Sequence, residues 1–158
     1  MNKTNWNTGS NNNISFKEII YLIEKHSNLK GTVYLGTDSF FIKDYCIFAT
    51  AICLYGADKQ QGGRYFFTKS KISKDKFPEL SIRMIKEAEN TINLSNTIMN
   101  QVPTAILELH LDISPQENNE GTSHLAKMLI GYVKGSGYEC KIKPHAFAAA
   151  SIADKHSK

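Results

Sequence analysis

The run Thr32-Val33-Tyr34-Leu35-Gly36-Thr37-Asp38-Ser39 reads as a β-strand, β-branched and aromatic for most of its length, that carries a carboxylate in its interior rather than at a turn. Desolvating a carboxylate is costly unless a cation, an arginine or a hydrogen-bond network meets it, so Asp38 calls for a partner. On this residue alone a ligand role balances evenly against an acid bonded into a turn or paired with a lysine.

Outward from that strand, residues 32–41 are followed by two more strand-like runs, 45–55 and 64–72. The connection Lys43-Asp44 and the polar stretch 56–63 favour an antiparallel meander. Upstream, residues 14–27 place Phe16, Ile19, Ile20, Leu22 and Ile23 on one helical stripe, with Ser15 and Glu18 forming a capping box. Downstream, Phe77-Pro78 opens a helix to about Met99, with Leu80, Met84, Ile85, Ala88, Ile92 and Ser95 on one side. Residues 104–113 read as a fourth strand, reached by a helical crossover and so parallel to an earlier one. A helix over 119–136 directs Leu125, Met128, Leu129, Tyr132 and Val133 inward and stops at Gly135-Ser136-Gly137. A short fifth strand over 139–144 and an Ala-rich helix over 146–156 complete the order.

A chain of 158 residues suits one domain with a core that needs no disulfide framework. Cys46, Cys53 and Cys140 form no close pairing motif and read as reduced thiols, and a net charge of +4 is compatible with a polyanionic partner without requiring one. Residues 1–13 are so rich in Asn, Thr and Ser that they read as a disordered leader, which leaves 14–158 as the domain. The leader lacks the apolar centre of a signal peptide and no stretch approaches the roughly 18 apolar residues of a membrane span, so the expectation is a cytoplasmic protein.

Three meander strands followed by alternating helices and strands resemble the ribonuclease H-like fold. The implied architecture is α/β: a five-stranded mixed sheet with strands 1 to 3 antiparallel, strands 4 and 5 added by helical crossovers, helices on its faces and a short N-terminal helix before it. In that order Asp38 in the first strand and Asp112 at the end of the fourth become neighbours. Glu87 on the first long helix and Asp154 on the last complete a set of four acids from four elements. The motifs VYLGTDS, Arg83-x-x-x-Glu87, LHLDIS and KIKPHAFAAASIADKHSK are similar to the YkuK-like family, a ribonuclease H-like group, over about residues 14–158. GTDS and SIADKHS are the most specific parts, and the resemblance carries Asp38, Glu87, Asp112 and Asp154 over as site residues.

Four such acids imply two-metal phosphodiester hydrolysis, with Mg²⁺ or Mn²⁺ held by hard oxygen ligands and Asp38 as the bridging one. His156, two residues beyond Asp154, is placed to move a proton. Each acid also has a plainer reading. Glu87 follows Arg83 at helical i,i+4 spacing, Asp112 precedes a Ser114-Pro115 turn, and Asp154 lies close to the end of the sequence. Glu79, in the first turn of the same helix, rivals Glu87. His110, His124, His145, His156 and Cys140 show no zinc-type spacing. Ser39 and the basic run with Lys69, Lys71 and Lys74 would meet a nucleic-acid backbone if they flank the acids. The expected function is therefore a metal-dependent nuclease acting on RNA, an RNA/DNA hybrid or structured DNA. The alternatives are a non-catalytic nucleic-acid-binding module and a phosphohydrolase acting on a small nucleotide.

Overall fold

The computed structural model describes residues 4–114 and 120–157. Seven strands form one mixed sheet: β1 (Trp6–Thr8), β2 (Asn13–Ile14), β3 (Thr32–Ile42), β4 (Tyr45–Tyr55), β5 (Arg64–Ser73), β6 (Ile106–His110) and β7 (Glu139–Lys141), in the spatial order β2-β1-β5-β4-β3-β6-β7. Strands β3, β4 and β5 form the expected antiparallel meander, while β6 and β7 each add in parallel. The helices are α1 (Phe16–Asn28), α2 (Leu80–Gln101) and α3 (Glu120–Gly135), with a π-helical turn at Ala148–Ala153 leading into α4 (Asp154–Ser157).

Local signals account for most boundaries. Ser15 caps α1 by accepting the Glu18 backbone N–H at 3.1 Å, and Gly137, beyond the end of α3, takes a φ of +95° that suits glycine. Leu80 at the start of α2 and Met128 and Tyr132 on α3, all expected inward, are exposed instead. Both helices bury narrower stripes than their hydrophobic patterns propose. The expected helix start at Asn119 lies outside the described residues.

The N-terminal segment departs most from expectation. Residues placed in a disordered leader supply β1 and β2, which raises the strand count from five to seven. Trp6 explains the difference: it is buried, stacks on Phe16 at 5.9 Å between ring centroids, and follows Asn5, whose carbonyl accepts the Thr68 hydroxyl at 2.7 Å. One large aromatic surface offsets the ordering cost that the Asn-rich composition otherwise leaves unmet.

The two faces of the sheet pack differently. On one, Val33, Leu35, Ile52 and Phe66 meet α1, α2 and α3 in the main core through Ile19, Ile23, Ile92 and Leu129. On the other, Ala51 and Cys53 pack against Ala148 and Ala153 of the terminal segment. The second contact is unusually close: a Cβ on Gly36 would lie 2.5 Å from the Ala149 backbone N. Small residues on both sides let the last helix lie directly on β3. Among the described residues no helix is long and apolar enough to cross a membrane.

Candidate active site

Strand alternation fixes where the acids point. Asp38 is paired with Ala49, and Gly36 with Ala51, so Asp38 faces the terminal segment while Ser39 faces the helical layer. Gly36 is also paired with His110 in parallel register, and two further residues along both strands bring Asp38 beside Asp112. The Ala-rich turn then delivers Asp154 to the same point. Asp154 and Asp112 both lie within side-chain hydrogen-bonding reach of the Asp38 carboxyl.

The electrostatics record this crowding. Burial, then contact with Asp154, then the charge of Asp112 push the Asp38 carboxyl from its ordinary 3.8 up to about 7. The residue is 8% exposed, so little water screens the repulsion. Glu87 reaches the cluster from α2, on the opposite side of the sheet. It accepts the Ser39 hydroxyl at 3.3 Å, and its carboxyl is held well above the usual range by burial and by the charge of Asp38, with Arg83 opposing. Glu87 thus acts on the cluster as well as feeling Arg83 one turn away. Its rival Glu79 is the exposed N-cap of α2, with Ser81 donating to its carboxylate at 3.4 Å.

One cation already stands among these acids. Lys143 Nζ lies 2.8 Å from Asp112 Oδ1, and the hydrogen bond to Asp112, with the charges of Asp112, Asp38 and Asp154, raises the Lys143 pKa against the burial that lowers it. Its backbone N–H donates to Ile113 O at 3.0 Å, which holds the residue alongside the end of β6. No local sequence pattern pairs Lys143 with Asp112, some thirty residues earlier in the chain.

His156 does not join the acids. Its ring stacks on Phe67 at 3.6 Å between centroids, its Nε2 pairs with the Tyr65 hydroxyl at 3.0 Å, and burial with the charges of Lys155 and Lys69 lowers its pKa. It fastens α4 to β5. The proton-moving role expected from sequence proximity to Asp154 finds no supporting contact among the described residues, where Phe67 and Tyr65 engage the ring instead.

His110 was missed. Fully buried, it accepts the Ala148 N–H at Nδ1 (3.1 Å), which leaves Nε2 protonated and donating to Glu108 Oε1 at 3.0 Å. A neutral imidazole therefore pins the terminal segment to β6, and burial holds its pKa below the ordinary 6.5. The visible signal was the alternation of Glu108 and His110 on one face of β6, continued by Asp112 just beyond its end.

The basic residues are partly committed elsewhere. Lys69 is exposed and lies in register with Asp38 across Ala49. Lys71 sits over the Tyr45 ring at 3.8 Å and Lys74 near the Phe41 ring at 5.3 Å. Cys46 and Cys53 are buried and Cys140 is half-buried; all are free thiols, and burial pushes Cys53 up to about 12.

For a divalent cation the donor chemistry fits, since all four proposed ligands are hard oxygens and Asp38, raised first by burial, also feels the neighbouring acids. Geometrically the site is not a closed cage: among the described residues no three His, Cys, Asp or Glu side chains are arranged to hold one ion.

Mixed-sheet topology, a central strand acid and acids converging from neighbouring elements define an α/β protein of nuclease-like architecture. Residues 15–158 match the family model described as Ribonuclease H-like. The chain belongs to that family. Comparison with curated proteins and with solved structures returns no match.

Proposed function

We propose that the protein is a divalent-metal-dependent nuclease of the YkuK-like group that hydrolyses phosphodiesters in RNA, an RNA/DNA hybrid or structured DNA. The observation that carries this reading is the elevated Asp38 carboxyl, with Asp154 and Asp112 crowding it from two other elements and Glu87 acting on it from a third. Repulsion of that kind weakens the fold and is tolerated where a counterion does work. A pair of Mg²⁺ or Mn²⁺ ions would supply Lewis-acid stabilisation of phosphate charge and a water of lowered pKa. Asp38, Asp112, Asp154 and Glu87 would hold them. Ser39 steadies the Glu87 carboxylate, and Lys69 stands on the Asp38 face where a phosphate backbone would approach.

The purified chain is expected to cut at least one member of a panel of single-stranded RNA, hybrid and branched DNA with Mn²⁺ and none with EDTA. Inactivity across the whole panel with both Mg²⁺ and Mn²⁺ would overturn the catalytic reading. A second reading, a binding module without turnover, is favoured by Lys143, which meets Asp112 where a metal would compete for it. The two diverge in Lys143→Met. If a metal belongs there, removing the competing ammonium tightens Mn²⁺ binding by roughly tenfold in calorimetric titration and lowers the melting temperature in EDTA. In the module, no Mn²⁺ binding emerges in either form.

A further inference from the structure

The Asn-rich N-terminal segment has a use that the acid cluster does not explain. Together with α2 and the open end of β5 it encloses a cavity of about 960 Å³ on the helical side of the sheet. This is the size of a small-molecule site. Asn90, Asn93, Leu94 and Thr97 form one stripe of α2 along its wall, and Thr50, Thr68 and Ser70 line the strand side. Neither the Asn90 nor the Asn93 amide has a hydrogen-bond partner among the described residues. Phe16, half-buried and stacked on the buried Trp6, supplies aromatic surface.

The chemistry of this lining is selective. Among the described lining residues Glu18 is the one charged side chain on the cavity's side of the sheet, since strand alternation turns Lys69 to the Asp38 face, so the cavity does not suit a phosphate. Side-chain amides offer both donors and acceptors, the pattern that matches the edge of a nucleobase, and the half-buried Phe16 ring offers stacking surface. Its position ties it to the acids. Ser39, Phe48 and Ser70 lie in one cross-strand row, so the cavity begins within two strands of Ser39, roughly 10 Å or about three stacked nucleotides. Thr50 in its wall bonds to Thr37 at 3.0 Å, Thr37 bonds to Thr91 at 2.8 Å, and Thr91 donates to the Glu87 carbonyl at 3.2 Å. The wall and the acid-bearing turn of α2 are thus one connected frame.

We propose that this cavity is a subsite for an unpaired nucleobase of a strand whose backbone runs to the acid cluster. It rests on the nuclease reading for the source of the base, and its binding chemistry is separable from cleavage. Trp6 is the chain's only tryptophan, so its fluorescence reports on the cavity directly.

Titrating the full chain with single-stranded 12-mers in EDTA is expected to quench Trp6 saturably, whereas a blunt duplex of the same length binds more weakly. Asn93→Leu and Asn90→Leu each weaken the single-strand affinity roughly tenfold and leave Mn²⁺ binding unchanged. Unmoved fluorescence, equal affinity in both variants, or equal quenching by a neutral maltooligosaccharide would overturn the subsite. Because the measurement uses no metal, quenching without cleavage on any substrate would sink the nuclease reading and keep the subsite. Cleavage with no quenching and no variant effect would do the reverse.

Discussion

Asp38→Asn is expected to lower metal-dependent cleavage by roughly a thousandfold or more while raising the melting temperature at pH 8. Both effects come from one cause. In the folded chain the Asp38 carboxyl titrates near 7 rather than 3.8, so below about pH 4 folded and unfolded chains are equally protonated, and between there and pH 7 the folded chain keeps a proton that the unfolded one has released. The stability this proton provides is present at low pH and lost as pH rises through 7. The rise from 3.8 to about 7 corresponds to roughly 4 kcal/mol at full ionisation. Lys143, on which the Asp38 charge acts, offsets part of that, and a gain of about 1–3 kcal/mol, or roughly 3–10 °C, is expected from the uncharged amide. His110 works in the opposite sense: its depressed pKa gives stability present above its ordinary 6.5 and lost as pH falls below it. Melting both proteins from pH 5 to 9 in EDTA and taking the difference removes the His110 contribution. A difference that does not grow with pH would refute the assignment of Asp38 as the strained acid.

Much of this arrangement was legible in the sequence because it is written in short-range patterns. Alternation along residues 32–41, the capping box at Ser15 and Glu18, and the crossover after α2 lead to the β4-β3-β6 neighbourhood that sets Asp38 beside Asp112. What failed depends on contacts between residues far apart. Composition cannot reveal that Trp6 finds Phe16 and β5, so a segment poor in apolar residues reads as disordered although one side chain anchors it. His156 was assigned by sequence distance to Asp154, yet Phe67 and Tyr65, some ninety residues earlier, decide its orientation. His110 carried a readable alternation with Glu108, but its partner Ala148 N–H offers no side-chain signal at all. Backbone donors are invisible to motif reading, and here one of them positions the segment that bears Asp154.

That dependence makes Gly36 the position where a single methyl group should do the most damage to the site. Gly36 is buried in the middle of β3, and its backbone conformation is ordinary; what requires glycine is the terminal segment lying on it. An added Cβ would come within 2.5 Å of Ala149 N and 2.8 Å of the Ala148 carbonyl carbon, both backbone atoms that cannot swing aside. The segment must lift, and in lifting it strains the Ala148 N–H bond to His110 and carries Asp154 away from Asp38. Gly36→Ala is therefore expected to cost about 1–3 kcal/mol, to speed amide exchange across residues 146–157, and to abolish Mn²⁺ binding although no acid has been changed. Gly131→Ala on α3 is the matched control, since its Cβ meets nothing within 4 Å and the helix gains up to about 1 kcal/mol. Loss of Mn²⁺ binding in Gly36→Ala, with retention in Gly131→Ala, would tie ion binding to the seating of Asp154 on the sheet. Equal Mn²⁺ affinity in both would show that Asp38, Asp112 and Glu87 hold the ion without it.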